Sequence, residues 1–355
     1  MKEADYVSRM RILAASLVLL VAGCPNSARN EARKVADQGN KAKGAKQYDE
    51  AIDNFQKAVD KDPDLHPAWW GLGISYLEGK RDPDKAAAAL AHCVELAEEQ
   101  PMYELFYGIA LFEKERKTAR EDQARKVGKK PEDLGDDIDL SGANFDKAEQ
   151  RLQKAISLNP EMWRAHYYIG QIYRAKDKAK DAALEFTKAI ATNPHEPGPY
   201  IGLAELYRRW DYTDEAIKVA EQGSLYVPGQ QESAEVWFVL GMAYDDKRKE
   251  TEAIKAFTKA LEAQKDHHRA QFQRGQAEYR TGDMKAARSD LEAFSKSGGA
   301  SLDFIKQQAS KMLQDIMAKS AGPPKDKDKD AKKSPEETVK GGAKGKGAGF
   351  KPPKH

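Results

Sequence analysis

The chain has 355 residues, of which 59 are Lys or Arg and 57 are Asp or Glu, so the two signs of charge nearly cancel. This balance excludes the strongly basic composition that is typical of nucleic-acid-binding proteins, and we predict no nucleic acid partner. The chain has only two cysteines, Cys24 and Cys93, which excludes a disulfide framework. A charged fraction of 33% favours a solvated, largely helical protein.

The first element along the chain is an export signal. Residues 12–23 are apolar but too few to span a bilayer. Three basic residues precede them, namely Lys2, Arg9 and Arg11. Small residues stand directly before Cys24, and this ending resembles the lipobox of bacterial lipoproteins. The resemblance implies that residues 1–23 are removed and that Cys24 is acylated; an ordinary secretory signal with an incidental cysteine is the alternative.

Acylation would decide where the protein resides. Several acyl carbons on one cysteine hold a soluble domain durably on a membrane. We therefore expect a lipidated linker at residues 24–31 that anchors the chain without crossing the bilayer. Pro25 follows Cys24, where lipoproteins retained in the inner membrane of enteric bacteria carry Asp. By this resemblance we expect the outer membrane, with the protein facing the periplasm.

A unit of about 34 residues then recurs along most of the chain. Large and small residues stand at fixed offsets in each copy, which indicates stacked repeats and not one globular core. The most regular copy contains Trp163, Gly170, Tyr173, Ala182, Phe186, Ala189 and Pro194. The pattern resembles the tetratricopeptide repeat (TPR) family, whose unit is a pair of α-helices. The resemblance implies an all-α, superhelical solenoid of about seven helix pairs over residues 32–300.

Two copies depart slightly from the pattern, and one further helix follows the array. The second unit holds one extra residue near Asp82, and the seventh has Glu278 where tyrosine is expected. Residues 301–320 then carry apolar side chains at helical spacing, namely Leu302, Ile305, Ala309, Met312 and Ile316. Because the end of a stack exposes apolar surface, we predict that this helix caps it.

A charged insert, residues 115–142, interrupts the third unit between its two helices. Insertions in repeat proteins map to loops on one face, which is often the working face; a solvated extension of the first helix followed by a loop is the alternative. Within it, Asp137 to Gly142 resembles the opening of a calcium-binding loop. The closing glutamate is absent, because Ala148 occupies its position, and a capping turn is the alternative.

The last segment, residues 321–355, is rich in Lys, Gly and Pro and cannot form a core. We predict that it is disordered. From Val339 onward it has five lysines and no acidic residue. Binding to anionic lipid, cell-wall polymer or a protein is one interpretation, and a solubilising tail without a partner is the other.

The TPR resemblance also implies a concave groove lined by the first helix of each pair. Corresponding offsets select Trp70, Ile74, Leu77, Leu105, Ile109, Phe112, Tyr167 and Arg174. Exposed apolar surface on such a scaffold suits a docked peptide or helix from a protein partner. The alternative is that the insert or the N-terminal helix covers this surface.

Catalytic signatures do not emerge from the sequence. The seven histidines are scattered, and neither a phosphate-binding loop nor zinc-ligand spacing is found. Cys93 falls on a small core position of a predicted helix, which favours a packed thiol over a nucleophile. We therefore predict no enzyme activity, no catalytic residue, no metal and no cofactor.

These observations predict a membrane-anchored periplasmic scaffold that recruits or assembles other proteins. One alternative is more specific. Type IV pilus pilotins are similar in being outer-membrane lipoproteins made of TPR units, and this resemblance implies assistance to the assembly of an outer-membrane secretin. A second alternative is an envelope or cell-wall-binding protein that acts through its basic tail.

Overall fold

The computed structural model describes residues 25–135, 138–227, 230–296 and 302–321. Within these ranges the structure contains 15 α-helices and no β-strand. The predicted signal peptide with Cys24, and the predicted tail from residue 322 onward, lie outside the described residues. No helix in the described ranges has the length and apolar character needed to cross a bilayer.

The first 14 helices form seven sequential pairs, and a single helix follows them, so the predicted all-α stack is confirmed. In each pair we call the odd-numbered member the first helix. The pairs are α1 (Pro25–Gly44) with α2 (Tyr48–Lys61), α3 (His66–Ile74) with α4 (Pro83–Leu96), α5 (Pro101–Val127) with α6 (Asp146–Leu158), α7 (Trp163–Ala175) with α8 (Ala179–Thr192), α9 (Pro197–Arg209) with α10 (Thr213–Tyr226), α11 (Gln230–Asp246) with α12 (Glu250–Ala263), and α13 (His268–Thr281) with α14 (Met284–Ser295). The last helix is α15 (Asp303–Ala321).

Short polar residues before proline end several second helices. Asp62, Asn159 and Asn193 directly follow α2, α6 and α8, and each has an extended backbone because the next residue is proline. The side chain of each accepts a hydrogen bond from the backbone N–H two residues later, at 3.0–3.3 Å. These three turns between pairs are therefore encoded by a local Asx–Pro signal.

Fully buried phenylalanines on second helices fill the space left by glycines on first helices. The ring of Phe186 on α8 lies between Gly170 on α7 and Gly202 on α9. Phe55 lies in the same way between Gly39 and Gly71. One aromatic ring thus contacts its own pair and the next, which makes the core continuous along the stack.

The extra residue of the second unit is accommodated by π-helix. After Ile74, α3 continues as one π-helical segment, Ser75–Lys80, and ends at Arg81 with a left-handed backbone (φ 51°). A π-bulge absorbs one inserted residue while keeping the helix continuous. It also fixes where the side chains of Leu77, Glu78 and Arg81 project.

The N-terminus differs from the predicted linker over residues 24–31, because residues 25–31 belong to α1. Two ion pairs link this segment to α2 and its C-cap, Glu31 to Lys61 at 3.0 Å and Arg29 to Asp62 at 3.4 Å. These residues of the predicted linker are therefore helical and are paired with the second helix of the first pair.

The seventh pair and α15 complete the stack. Ala309 and Ile316 of α15 are buried against the seventh pair, so the predicted capping helix is confirmed. Glu278 is also buried, close to Asp290, which accepts two hydrogen bonds from Arg274 at 2.6 and 2.8 Å. Burial and the negative charge of Asp290 raise the pKa of Glu278 to about 7.

Candidate functional site

A cleft of about 660 Å³ opens on the face formed by the first helices of the second, third and fourth pairs. The end of the α3 extension, the middle of α5 and the start of α7 enclose it. Its lining combines aromatic and aliphatic side chains with cations: Leu77, Glu78, Arg81, Pro83, Phe106, Ile109, Glu113, Arg116, Lys117, Arg120, Trp163, Arg164, Tyr167 and Tyr168. We refer to this site as the cleft.

The aromatic side chains of the cleft form a firm, largely apolar surface. Phe106 and Ile109 are buried, and Tyr167 and Tyr168 stack edge-to-face with centroids 5.3 Å apart. Burial raises the pKa of both tyrosines, so their phenols stay neutral at physiological pH. The surface can therefore take an apolar side chain and still supply hydroxyl groups at its edge.

Three of the side chains predicted for the groove line the cleft, namely Leu77, Ile109 and Tyr167, although Ile109 is itself only 5% exposed. They come from three different first helices, as the register of the repeats requires. Trp70 lies near them but is half-buried, with its ring 5.0 Å from Tyr103 and 5.1 Å from Phe106. Trp70 therefore supports the cleft through Phe106 and does not line it.

The predicted exposure of three other groove residues is wrong. Ile74, Leu105 and Phe112 are only 5%, 2% and 4% exposed and belong to the core. Phe112 stacks on Phe145, with centroids 5.0 Å apart, and meets the edge of Tyr168 at 5.3 Å. The ring of Phe145, which directly precedes α6, thus covers the ring of Phe112.

Arg174, the last predicted groove residue, is occupied by an ion pair. Its guanidinium donates to Glu205 on the next first helix at 2.7 Å. The same arrangement recurs farther along, where Arg208 pairs with Asp246 at 2.6 Å and Arg280 pairs with Asp245. We call these three pairs the arginine ladder. Because it links neighbouring first helices, the ladder neutralises the later part of the groove.

The cations of the cleft were missed at the sequence level. Arg116, Lys117 and Arg120 lie on α5, which runs to Val127, well beyond the length of the other first helices. Arg120 donates to the backbone carbonyls of residues 131, 134 and 135 at 2.9–3.2 Å, and so fixes the returning loop to α5. The charged insert was the available signal, but its side chains could not be assigned to a face.

The acidic end of the insert forms a turn around Asp139. Its carboxylate accepts a hydrogen bond from the backbone N–H of Ser141 at 3.0 Å, and its own N–H donates to the side chain of Gln123 at 3.1 Å. This geometry agrees with the capping-turn alternative at that residue. Asp137, the first residue of the calcium-like pattern, lies outside the described residues.

A second recess, of about 690 Å³, lies elsewhere on the array, between α10, α11 and α12. Leu225, Trp237 and Tyr244 are among its lining residues, and Leu225 is 82% exposed. None of these residues belongs to the predicted groove. The recess lies apart from the cleft and provides a comparison surface for crosslinking.

Cys93 has the surroundings of a core residue. It is fully buried on α4, and its thiol contacts the carbonyl of His66 at 3.4 Å. Burial raises the pKa of the thiol to about 12, so almost no thiolate forms at neutral pH. Such a side chain packs and does not react.

Comparison with known families agrees with the geometry. A tetratricopeptide repeat model matches residues 36–101, 138–197 and 238–298, which is over half of the chain. The chain is a tetratricopeptide repeat protein. This fold is that of a protein-interaction scaffold and is not typical of enzymes, so the coarse function is protein binding.

Individual relatives of this TPR chain are distant. The type IV pilus assembly protein PilF of Pseudomonas aeruginosa is 23% identical over 163 residues, which is 45% of this chain and 63% of that protein. Its solved structure covers 70% of this chain and 97% of its own, at 16% identity and a TM-score of 0.50. At these identities the likeness shows the fold.

Two further solved structures have the same fold. A tetratricopeptide repeat protein from Parabacteroides merdae covers 81% of this chain and 99% of its own, at 13% identity and a TM-score of 0.53. The APC/C hetero-tetramer Cut9–Hcn1 gives the same TM-score at 15% identity, but the TPR chain described here spans only 46% of that chain.

Proposed function

We propose that this protein is a lipid-anchored TPR scaffold of the bacterial periplasm that recruits or assembles other proteins through the cleft. The anchor is the predicted lipid on Cys24, and the expected location is the outer membrane. The observation that carries the proposal is the cleft itself, where three successive first helices enclose an aromatic and aliphatic surface between cationic side chains.

The residue at which α1 begins sets the length of chain between the proposed lipid and the repeats. Because α1 begins at Pro25, only the cysteine separates the lipid from the helical array. A tether of this length keeps the first repeats close to the headgroups, and partners bound in the cleft are held at the membrane.

Cell fractionation tests the anchor. The wild-type protein should sediment with outer membranes, and Cys24→Ser should appear in the soluble periplasmic fraction, because one apolar segment alone does not replace several acyl chains. Cys93→Ser is the matched control and should sediment like the wild type. Equal sedimentation of Cys24→Ser and wild type would refute anchoring through this cysteine.

Photocrosslinking in intact cells tests the scaffold. A benzoylphenylalanine at position 78, on the rim of the cleft, should give protein adducts, and the same group at position 225 in the second recess should give fewer. A chain lacking residues 322–355 should retain the adducts. If the adducts depend on that tail or come only from position 225, the cleft is not the recruiting surface.

Similarity to PilF supports a second, more specific candidate, a pilotin-like role in assembling an outer-membrane secretin for type IV pili. Under this proposal, deletion of the gene lowers the amount of secretin multimers, and wild-type protein restores them. Unchanged secretin multimers after deletion would remove this candidate while leaving the general scaffold intact.

A further inference from the structure

Three of the five cations that line the cleft differ from the arginines of the ladder. Each ladder arginine is neutralised by a carboxylate of a neighbouring first helix, which is the next one for Arg174 and Arg208 and the preceding one for Arg280. Among the described residues, Arg81 and Arg164 have no carboxylate partner, and Arg120 donates to backbone carbonyls only. Three cations without a carboxylate partner are therefore gathered around one recess, whereas the ladder arginines are paired.

The side chains that line the cleft also carry a net positive charge. Five cations and two acids line it, and one of those acids, Glu113, is already held by Arg116 at 3.2 Å. Lys117 is satisfied by Asp84 at 2.7 Å just outside the lining. The excess thus rests on Arg81, Arg120 and Arg164, which surround the aromatic side chains.

Arg164 places a positive charge directly against the apolar surface of the cleft. Its guanidinium lies over the rings of Trp163 and Phe106, 5.3 and 5.9 Å from their centroids. Stacking on two rings restricts the side chain, so a carboxylate that pairs with it costs less conformational entropy than with a free arginine. An anionic group bound there would lie directly beside an apolar surface.

We propose that the cleft binds an acidic segment of a partner protein that carries an aromatic residue next to its carboxylates. The aromatic side chain contacts Phe106, Ile109 and Tyr167, and the carboxylates pair with Arg81 and Arg164. This inference rests on the proposed scaffold function and specifies the partner's chemistry. A flat membrane surface fits less well, because the cations surround a recess and Glu78 and Glu113 share it.

The probe is a fluorescein-labelled synthetic peptide of about 12 residues in which one tryptophan is flanked by glutamates. Binding is measured by fluorescence anisotropy on the full chain. The double variant Arg81→Gln with Arg164→Gln should weaken binding about tenfold, since it removes two charge-assisted contacts. The control, Lys126→Gln with Lys129→Gln, removes the same charge from exposed positions outside the cleft and should bind like wild type.

A gain-of-affinity variant separates binding from misfolding. Glu78 lines the cleft and has no ion pair among the described residues, so Glu78→Gln should tighten binding about twofold to threefold. A damaged fold would not bind better. Raising the salt from about 50 to 300 mM should weaken the wild type more than the Arg81→Gln, Arg164→Gln variant.

Several results would overturn the proposal. These are no peptide binding at all, equal binding of a peptide with glutamine in place of glutamate, or equal loss in the Lys126 and Lys129 control. Binding of anionic phospholipid vesicles through Arg81 and Arg164 without peptide binding would assign the site to headgroups. If the peptide fails but crosslinking at position 78 persists, the scaffold stands and only the acidic partner is refuted; loss of both refutes the scaffold as well.

Discussion

Phe186 on α8 packs its ring so closely against Gly202 on α9 that a β-carbon on this glycine would lie 2.8 Å from the ring. The contact joins the fourth pair to the fifth. Phe186 is fully buried, and Gly170 of its own pair approaches the same ring equally closely. Neighbouring repeats are therefore coupled through a ring that has no room to move.

Substitution of Gly202 should accordingly destabilise the stack. Gly202→Ala forces the ring or α9 to shift, and we expect a loss of about 1–3 kcal/mol in the free energy of unfolding. Urea denaturation followed by circular dichroism measures it. Gly44→Ala is the control, because nothing lies within 4 Å of its β-carbon position, and it should not lower the midpoint. Equal midpoints for the two variants would contradict the packing argument.

The buried carboxyl of Glu278 predicts a pH-dependent difference between wild type and Glu278→Gln. Among the described residues its Oε2 atom has no hydrogen-bond partner, and its Oε1 atom lies 3.8 Å from Arg274. The folded-state pKa, about 7, exceeds the usual value of 4.5, so the folded protein holds the proton more tightly than the unfolded chain. The wild type therefore loses stability as the pH rises from about 4.5 through 7.

Glu278→Gln keeps the shape of the protonated acid and removes this loss. At about pH 8 the variant should be more stable than wild type by about 1–3 kcal/mol, and the difference should shrink toward pH 5. Thermal denaturation across this range gives the result. Glu215→Gln, at an exposed position on α10, should show no such trend. A variant that is less stable at pH 8 would show that the charge of Glu278 is favourable.

The hydrogen bonds of Arg120 predict how firmly the loop that follows α5 is held against that helix. Arg120→Gln removes the guanidinium that bonds the three loop carbonyls, so residues 129–135 should open more often. Cleavage by trypsin after Lys129 should become about tenfold faster, because proteolysis follows the population of the open loop. Arg125→Gln removes a side chain whose one ion pair among the described residues is with Asp122 on α5, and this variant should be cleaved at the wild-type rate.

Cys93 should be inert in the folded protein. In a Cys24→Ser background, a thiol reagent at about pH 8 should label Cys93 at least about a hundredfold more slowly than in guanidinium chloride, because burial blocks both access and ionisation. Ser157→Cys, at an exposed position on α6, provides the reactive comparison. Rapid labelling of folded Cys93 would mean that α4 opens locally.

The sequence by itself determined the repeat, because its signals are local. Asp62, Asn159 and Asn193 before proline end helices through their own backbone, and the spacing of Gly170 and Phe186 encodes a helix pair without reference to the rest of the chain. The spacing of apolar residues in α15 likewise predicts a helix with one apolar face, which must pack against another apolar surface of the protein. Such patterns repeat, so each copy reinforces the assignment of the others.

Only the tertiary structure decided what the groove exposes. Offsets along one helix place Ile74, Leu105 and Phe112 on the inner face, but burial depends on what neighbouring elements cover, as Phe145 at the start of α6 covers Phe112. The same holds for charge. Arg174 and Arg164 are both arginines of α7, and the sequence alone does not distinguish their surroundings. Arg174 lies opposite Glu205, whereas Arg164 faces the cleft. The pairing of charges depends on distances between helices, which no single repeat encodes.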